Sequence, residues 1–270
     1  YITQGFIAST PKGVTSTLGR SGSDYSAAIF AAALGADALE IWTDVDGIMT
    51  TDPRIVPTAF RVPEMSYAEA AELAYFGAKV VHPATMQPAV RTGIPIYVRN
   101  THNPENPGTL ISDAKRSLGL RAIAAKKAVT VVTIQSSRML HAYGFMEQLF
   151  GVFSRNKVSV DLVTTSEVSV SVSVDAEAVE GDLQQAVAQL KDFGEVSLEP
   201  DMSIICLVGH NLWKDTHFAL QVFEALEGVP LRMISLGASD VNLSIVVPDS
   251  HRIAAISQLH SAFFPEQAKE

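Results

Sequence analysis

The sequence predicts an α/β chain in three parts: one layered α/β unit, then two small ferredoxin-like βαββαβ units. Three observations predict it. Residues 1–112 alternate short apolar runs with Ala-rich helical stretches, joined by turns of Gly, Pro and Asp. From residue 129 onward, β-branched runs of period two take over. The second half then repeats itself, without a gap, at a shift of 73 residues.

Residues 2–9 read as a strand, followed by the Gly-rich segment Gly19-Arg20-Ser21-Gly22-Ser23-Asp24 and an Ala-rich helix over 25–34 that Gly35 stops. Residues 38–43 form a short buried-strand pattern, and 65–76 an Ala- and Glu-rich helix closed by Gly77. A helix over 82–90 and a strand over 94–98 complete a mostly parallel sheet covered on both faces. Residues 100–108, rich in Asn and Pro, are loop, and the polar, basic stretch 112–118 is the linker.

Beyond it, 129–134 is a strand and 145–156 a helix with Leu149, Phe150 and Phe153 on its apolar face. Strands follow over 158–165 and 168–174, then a helix over 183–190 and a short strand over 195–198. The series restarts with strand 204–208, helix 218–226, strands 231–236 and 241–247, and helix 253–263. The shift lays Phe145 on Phe218, Gln148 on Gln221, Phe150 on Phe223, Ser166 on Ser239 and Val168 on Val241. The second copy runs out before its last strand. The apolar stretch 120–125 is expected to supply it, interlocking the repeats. The domains are therefore 1–112, 120–200 and 201–264.

Composition narrows the function. At 270 residues, 47% hydrophobic and 18% charged, the chain is long enough for two or three buried cores. Twenty-nine acidic against 20 basic residues leave a charge of -9, a poor match to nucleic acid. A single cysteine, Cys206, excludes a disulfide framework and a multi-cysteine zinc site; inside the apolar run 203–208 it reads as a small buried hydrophobe. The longest greasy stretch, residues 27–36, falls short of the roughly 18 to 20 residues that span a bilayer. Tyr1-Ile2-Thr3-Gln4 has no basic n-region, so it is not a signal peptide, and the chain reads as starting inside a domain. A cytoplasmic location is expected.

Three segments carry possible chemistry. A Gly-rich turn entering a helix, as at 19–24, presents free N–H groups and the positive end of the helix dipole to a phosphate or carboxylate. Ser23 or Asp24 serves equally well as an ordinary N-cap; Arg20 tilts the balance, since a guanidinium suits a carboxylate. Thr43-Asp44-Val45-Asp46-Gly47 through Asp52-Pro53-Arg54 follows a buried strand, where open α/β sheets bind ligands. Its Asp-x-Asp-Gly start hints at calcium, but Ile55 stands where the bidentate Glu belongs, so calcium is rejected. A nucleotide-facing loop and a solvated acidic turn stay open. In Phe76-Gly77-Ala78-Lys79-Val80-Val81-His82-Pro83, Lys79 suits a phosphate or plain solvent, and His82 reads as a structural hydrogen-bonder.

Taken together, Gly19 to Asp24, Trp42-Thr43-Asp44-Val45-Asp46-Gly47, Thr50-Thr51-Asp52-Pro53-Arg54 and Phe76 to Thr85 resemble aspartate kinase, and the tandem repeat resembles that family's two ACT domains. The resemblance implies the later part of an amino-acid-kinase αβα sandwich over 1–112, followed by two ferredoxin-like ACT domains. It implies transfer of the ATP γ-phosphoryl group, with Mg²⁺, to the side-chain carboxylate of L-aspartate. Arg20, Ser21, Gly22 and Ser23 would hold aspartate, with Asp24 orienting the reacting groups. Thr43, Asp44, Met49, Arg54, Lys79 and Val80 would meet the nucleotide, and the metal ligands stay unassigned. Ser21 departs from the family's second Gly, and Met49 from an aromatic found in some relatives. The family's Lys-Phe-Gly-Gly-Thr phosphate motif does not occur, so the chain by itself is expected to be inactive. The competing class is a non-enzymatic amino-acid-sensing subunit.

An amino-acid effector needs N–H groups for its carboxylate and an acid for its ammonium. In the first repeat, Gly144, Phe145 and Met146 at a helix start supply the former and Asp161, beside Ser159 and Val160, the latter. A plain strand-end residue is the competing reading of Asp161. The second repeat has His217 opposite Gly144 and Ile234 opposite Asp161, which places the effector in the first. With Met139, Ala142, Ser166 and Glu167, the pattern resembles the lysine-inhibited class. Lysine is the expected effector, threonine the second choice, and a homodimer through the ACT domains the expected assembly.

Overall fold

The structure is a computed structural model that describes residues 2–19, 21–77, 80–113, 119–175 and 180–265. The expectations placed on Arg20, Lys79 and the linker 114–118 lie outside the described residues. The chain opens on an antiparallel hairpin of β1 (Ile7–Ser9) and β2 (Thr15–Thr17), so the first strand is shorter than its apolar pattern suggests. Helix α1 (Gly22–Leu34) begins three residues before its Ala-rich run, because Gly22, Ser23 and Asp24 carry no apolar signal. Four strands, β3 (Leu39–Thr43), β4 (Glu64–Ser66), β5 (Ile96–Asn100) and β6 (Thr109–Ser112), form a sheet in the order β3-β5-β6-β4. Two pairings are parallel and β5–β6 is antiparallel. Four-residue β6 is too short to register in the periodicity.

Residues 65 and 66, expected as helix, belong to β4, and helix α2 (Tyr67–Tyr75) starts after them. A capping box sets that start: the Glu69 N–H donates to the Ser66 hydroxyl at 3.2 Å, and the Ser66 N–H donates to the Glu69 carboxylate at 2.7 Å. Helix α3 (Pro83–Thr92) follows, N-capped by His82.

From residue 119 onward, the described residues form one six-stranded antiparallel sheet with four α-helices. Its elements are β7 (Gly119–Gln135), α4 (Phe145–Arg155), β8 (Val160–Thr165), β9 (Ser169–Asp175), α5 (Glu180–Leu190), β10 (Glu195–His210), α6 (Thr216–Ala225), β11 (Met233–Leu236), β12 (Asn242–Pro248) and α7 (Arg252–Phe263). The order is β11-β12-β10-β7-β9-β8. Strands β7 and β10 are long because each serves both repeats. Residues 129–135 pair with β9 and with 195–199, giving the first βαββαβ unit its four strands. Leu120 and residues 122–125 pair with the far half of β10, so the second unit takes its fourth strand from ahead of the first. Each long strand bends at a residue of positive φ, Ala128 (55°) and Asp201 (56°). These two stand 73 residues apart, the period of the repeat.

Alternation along the strands divides the core. Val132, Ile134, Val170, Val172 and Val174 pack under α4 and α5, while Ile205, Leu207, Leu243, Ile245 and Val247 pack under α6 and α7. Residues on the opposite face, including Val131, Ile204, Cys206 and Val246, share a core with Ala70, Leu73 and Phe76 of the α2 region. The N-terminal portion is thus seated in the sheet that joins the repeats. No helix among the described residues is long and apolar enough to cross a membrane.

Candidate functional site

The turn before α1 is built to leave a helix end open. Ser21 sits at the N-cap in the left-handed region (φ 53°, ψ 29°) and makes no side-chain cap hydrogen bond. Neither Ser23 nor Asp24 is therefore the N-cap; both lie in the first turn, whose amides have no acceptor within the helix. Ser21 adopts the conformation that a glycine would favour there, so its departure from the family pattern keeps the turn. Gly22 is obligatory for a different reason: a β-carbon on it would stand 2.9 Å from both Leu18 and Phe6. The Ser26 hydroxyl locks the entry, donating to the Gly22 carbonyl at 2.9 Å and accepting the Phe6 N–H at 3.0 Å. Half-burial pushes the Asp24 carboxyl above its ordinary range.

The acidic loop leaves β3 at the carboxyl edge of the parallel β3–β5 pair, where such sheets place ligands. The Thr43 hydroxyl donates to the exposed Asp44 carboxylate at 3.1 Å. Asp46 is structural: its carboxylate accepts from Asn100 at 2.7 Å and Asn103 at 3.2 Å. Met49 is bridged through its backbone to Arg61. Arg54 reaches back to Asp52 through Nε and Nη2, the shortest contact being 2.7 Å, and this hydrogen-bonded pairing holds the Asp52 carboxyl below its ordinary range. The Arg54 guanidinium is otherwise in solvent, free to turn to an anion. Val80 is partly buried and packs against the main core.

The residues expected around an effector fall into two groups. Met139, Ala142, Gly144, Phe145 and Met146 stand at the start of α4, at the same end of the unit as Ser166 and Glu167, since the Ser136 N–H donates to the Val168 carbonyl at 2.8 Å. Gly144 has φ 76°, and no side chain caps the helix. Ser159, Val160 and Asp161 stand where β8 begins, past the other end of α4. Eleven residues of α-helix put those ends about 16 Å apart. Within one chain, then, Asp161 does not meet the ammonium of an amino acid held on the first turn of α4.

Asp161 is already engaged. Its side chain is only 1% exposed and accepts from Lys126 Nζ at 2.7 Å and the Tyr75 hydroxyl at 2.6 Å. Burial, then this hydrogen bond, push the Tyr75 hydroxyl well above its ordinary pKa. Lys126 also pairs with Asp175 at 3.3 Å and lies 5.4 Å from the centre of the Tyr75 ring. A cleft of about 580 Å³ opens here between α2 and the edges formed by β8 and β11. On the same interface Asn242 donates to Glu72 at 2.7 Å. Nothing in the local sequence around Asp161 signals these partners, because Tyr75 lies 86 positions away.

Two family models match the chain: the amino acid kinase family over residues 1–100, and the ACT domain over 132–192 and 205–263. The lysine-sensitive aspartokinase 3 of Escherichia coli is 45% identical over 269 residues, covering 97% of this chain and 60% of that protein. The chain belongs to the aspartate kinase family. Among solved structures, E. coli aspartokinase III in complex with aspartate and ADP (R-state) superposes with a TM-score of 0.86 at 44% identity, over 97% of this chain and 60% of that one. The same enzyme with lysine and aspartate (T-state) gives 0.82, over 97% and 59%. The chain thus spans about three-fifths of the aspartokinase that it resembles. The α/β portion is an amino-acid-kinase fragment, and the repeats are two ferredoxin-like ACT domains.

Proposed function

We propose that the full-length protein is an aspartate kinase, transferring the γ-phosphoryl group of ATP to the side-chain carboxylate of L-aspartate under feedback by an amino acid bound to the ACT domains. The observation that carries this reading is the shared core of α2 and the ACT sheet: catalytic-type and regulatory-type parts are one packed body. The E. coli relatives solved with aspartate, ADP and lysine support the choice of ligands.

A carboxylate is ionised at neutral pH, so no base is needed to prepare it, and catalysis rests on positioning and charge neutralisation. The open first turn of α1, with Arg20, Ser21, Gly22 and Ser23, would receive aspartate. Asp24 would orient the reacting groups. Thr43, Asp44, Met49, Arg54, Lys79 and Val80 would border the nucleotide. Mg²⁺ would be held mainly by the nucleotide phosphates, with Asp44 the exposed carboxylate on hand. Bound there, Mg²⁺ would neutralise charge on the phosphates.

For the effector, lysine leads and threonine follows. The uncapped start of α4, with Met139, Ala142, Ser166 and Glu167, would take the amino-acid carboxylate. Besides Glu167, a second acid for the effector ammonium would come from another copy. Strand β8 is an outer edge of the sheet, and antiparallel pairing of two β8 edges would bring Asp161 of one copy towards the α4 start of the other, where it would exchange its Tyr75 and Lys126 partners for the effector ammonium. The homodimer and the site would then form together. Lysine would bind one arrangement of the ACT pair better and disfavour the active kinase.

Calorimetric titration of this chain with L-lysine and, separately, L-threonine tests the regulatory half. We expect saturable lysine binding that strengthens dimerisation, and its loss in Asp161→Ala. Unchanged lysine affinity in that variant would remove Asp161 from the site. ATP-dependent aspartyl phosphate formation by the full-length gene product tests the catalytic half.

A further inference from the structure

The second ACT domain reaches the acidic loop directly. His260, on the last helix α7, is 2% exposed, and its Nε2 lies 3.0 Å from the hydroxyl of Thr50, itself 1% exposed. That hydroxyl also accepts the Phe60 N–H at 3.2 Å, and the Thr50 N–H donates to the Phe60 carbonyl at 2.8 Å. The Thr50 carbonyl accepts the N–H of Ile123, in the part of β7 that belongs to the second ACT sheet, at 2.7 Å. The imidazole is wedged between rings, with centroids 6.4 Å from Phe60 and 4.9 Å from Phe264. Six residues on from Thr50, Val56 is buried in the core of α6 and α7. The short span between these two anchors carries Asp52 and Arg54.

We propose that His260 is a positioning residue for the nucleotide loop: by holding Thr50, it makes the second ACT domain a structural member of the kinase site, setting where Arg54 stands. The inference rests on the reading that residues 43–54 face the nucleotide. Two buried polar groups that satisfy each other fix a loop strongly, because removing one leaves the other without a partner. The pair is also the route by which a shift of the second ACT domain displaces the loop.

The test uses His260→Leu, His260→Gln, Thr50→Val and Thr50→Ser. In the full-length protein, His260→Leu and Thr50→Val should each raise KM for ATP about tenfold, the size expected for a lost buried partner, while KM for aspartate stays within about twofold. The double variant should be no worse than either single one. Thr50→Ser, which keeps the hydroxyl, and His260→Gln, which keeps a polar nitrogen, should recover most of the loss. In this chain alone, amide exchange over residues 44–56 should quicken in the two disrupting variants at matched global stability. Lower stability with unchanged ATP KM and loop exchange would overturn the proposal, as would additive effects in the double variant. A full-length wild-type protein that forms no aspartyl phosphate would instead sink the functional reading, and the exchange measurement would still decide the Thr50–His260 tie.

Discussion

Helices α4 and α6 occupy equivalent places in the two ACT domains, and they begin differently. Helix α4 starts on Gly144 with its first turn uncapped. Helix α6 starts on Asp215, whose carboxylate accepts the N–H groups of His217 at 3.0 Å and Phe218 at 3.2 Å. The outer layers differ too. The core under α4 and α5 contains only residues of the first ACT domain, whereas Ile55 and Val56 of the kinase portion enter the core under α6 and α7. The two copies of one fold therefore differ in how this helix begins and in what their helices pack against. One copy leaves its helix end uncapped, the end where we place the effector. The other closes that end with Asp215, and its helices enclose Ile55 and Val56 of the acidic loop.

Truncating one side chain in each core separates the two domains most strongly. Phe153→Ala and Phe218→Ala should each cost about 3–5 kcal/mol in denaturant unfolding. Only Phe218→Ala should speed amide exchange at residues 50–56, because Val56 belongs to that core. Equal loosening from both would mean that the division of labour is wrong.

A smaller effect comes from the helix starts. Asp215→Ala should lower stability by about 1 kcal/mol, the usual size of a lost N-cap, and leave lysine titration unchanged. Gly144→Ala should cost a similar amount, since alanine is strained at φ 76°, and should weaken lysine binding as well. Loss of lysine binding in Asp215→Ala would put the ligand on the wrong copy.

The smallest effect is a slope with pH. Burial lowers the His260 pKa below its ordinary 6.5. Between the lowered folded value and 6.5, the unfolded chain binds more protons, so stability rises with pH across that window. The contribution is complete above 6.5 and is lost as pH falls through the folded value. Urea unfolding of wild type and His260→Gln, compared from about pH 5 to 8, should give a difference that is level above 6.5 and shrinks below it. A difference level throughout would mean that His260 is not held neutral in the folded protein.

Much of this organisation was legible locally. Gly19 to Asp24 signalled a helix entry because small residues and a left-handed turn leave a compositional mark, although the true N-cap, Ser21, emerged only from its φ. The 73-residue period exposed the duplication, and the missing last strand pointed to residues 120–125. Strand β6 was illegible because four residues cannot establish a period. The continuity of β7 and β10 was hidden as well, since their bends at Ala128 and Asp201 interrupt the alternation midway.

Local sequence sets most of the helices and strands, shows that one unit occurs twice, and marks the Gly-rich turns that enter helices. These follow from interactions between near neighbours: side-chain periodicity, caps and turn conformations. What Asp161 and Thr50 face depends on long-range packing instead. Asp161 meets Tyr75 and Lys126, and Thr50 meets His260 across 210 residues of chain. Such partners are chosen by how sheets bend and helices dock, and no local pattern encodes a contact made between distant surfaces.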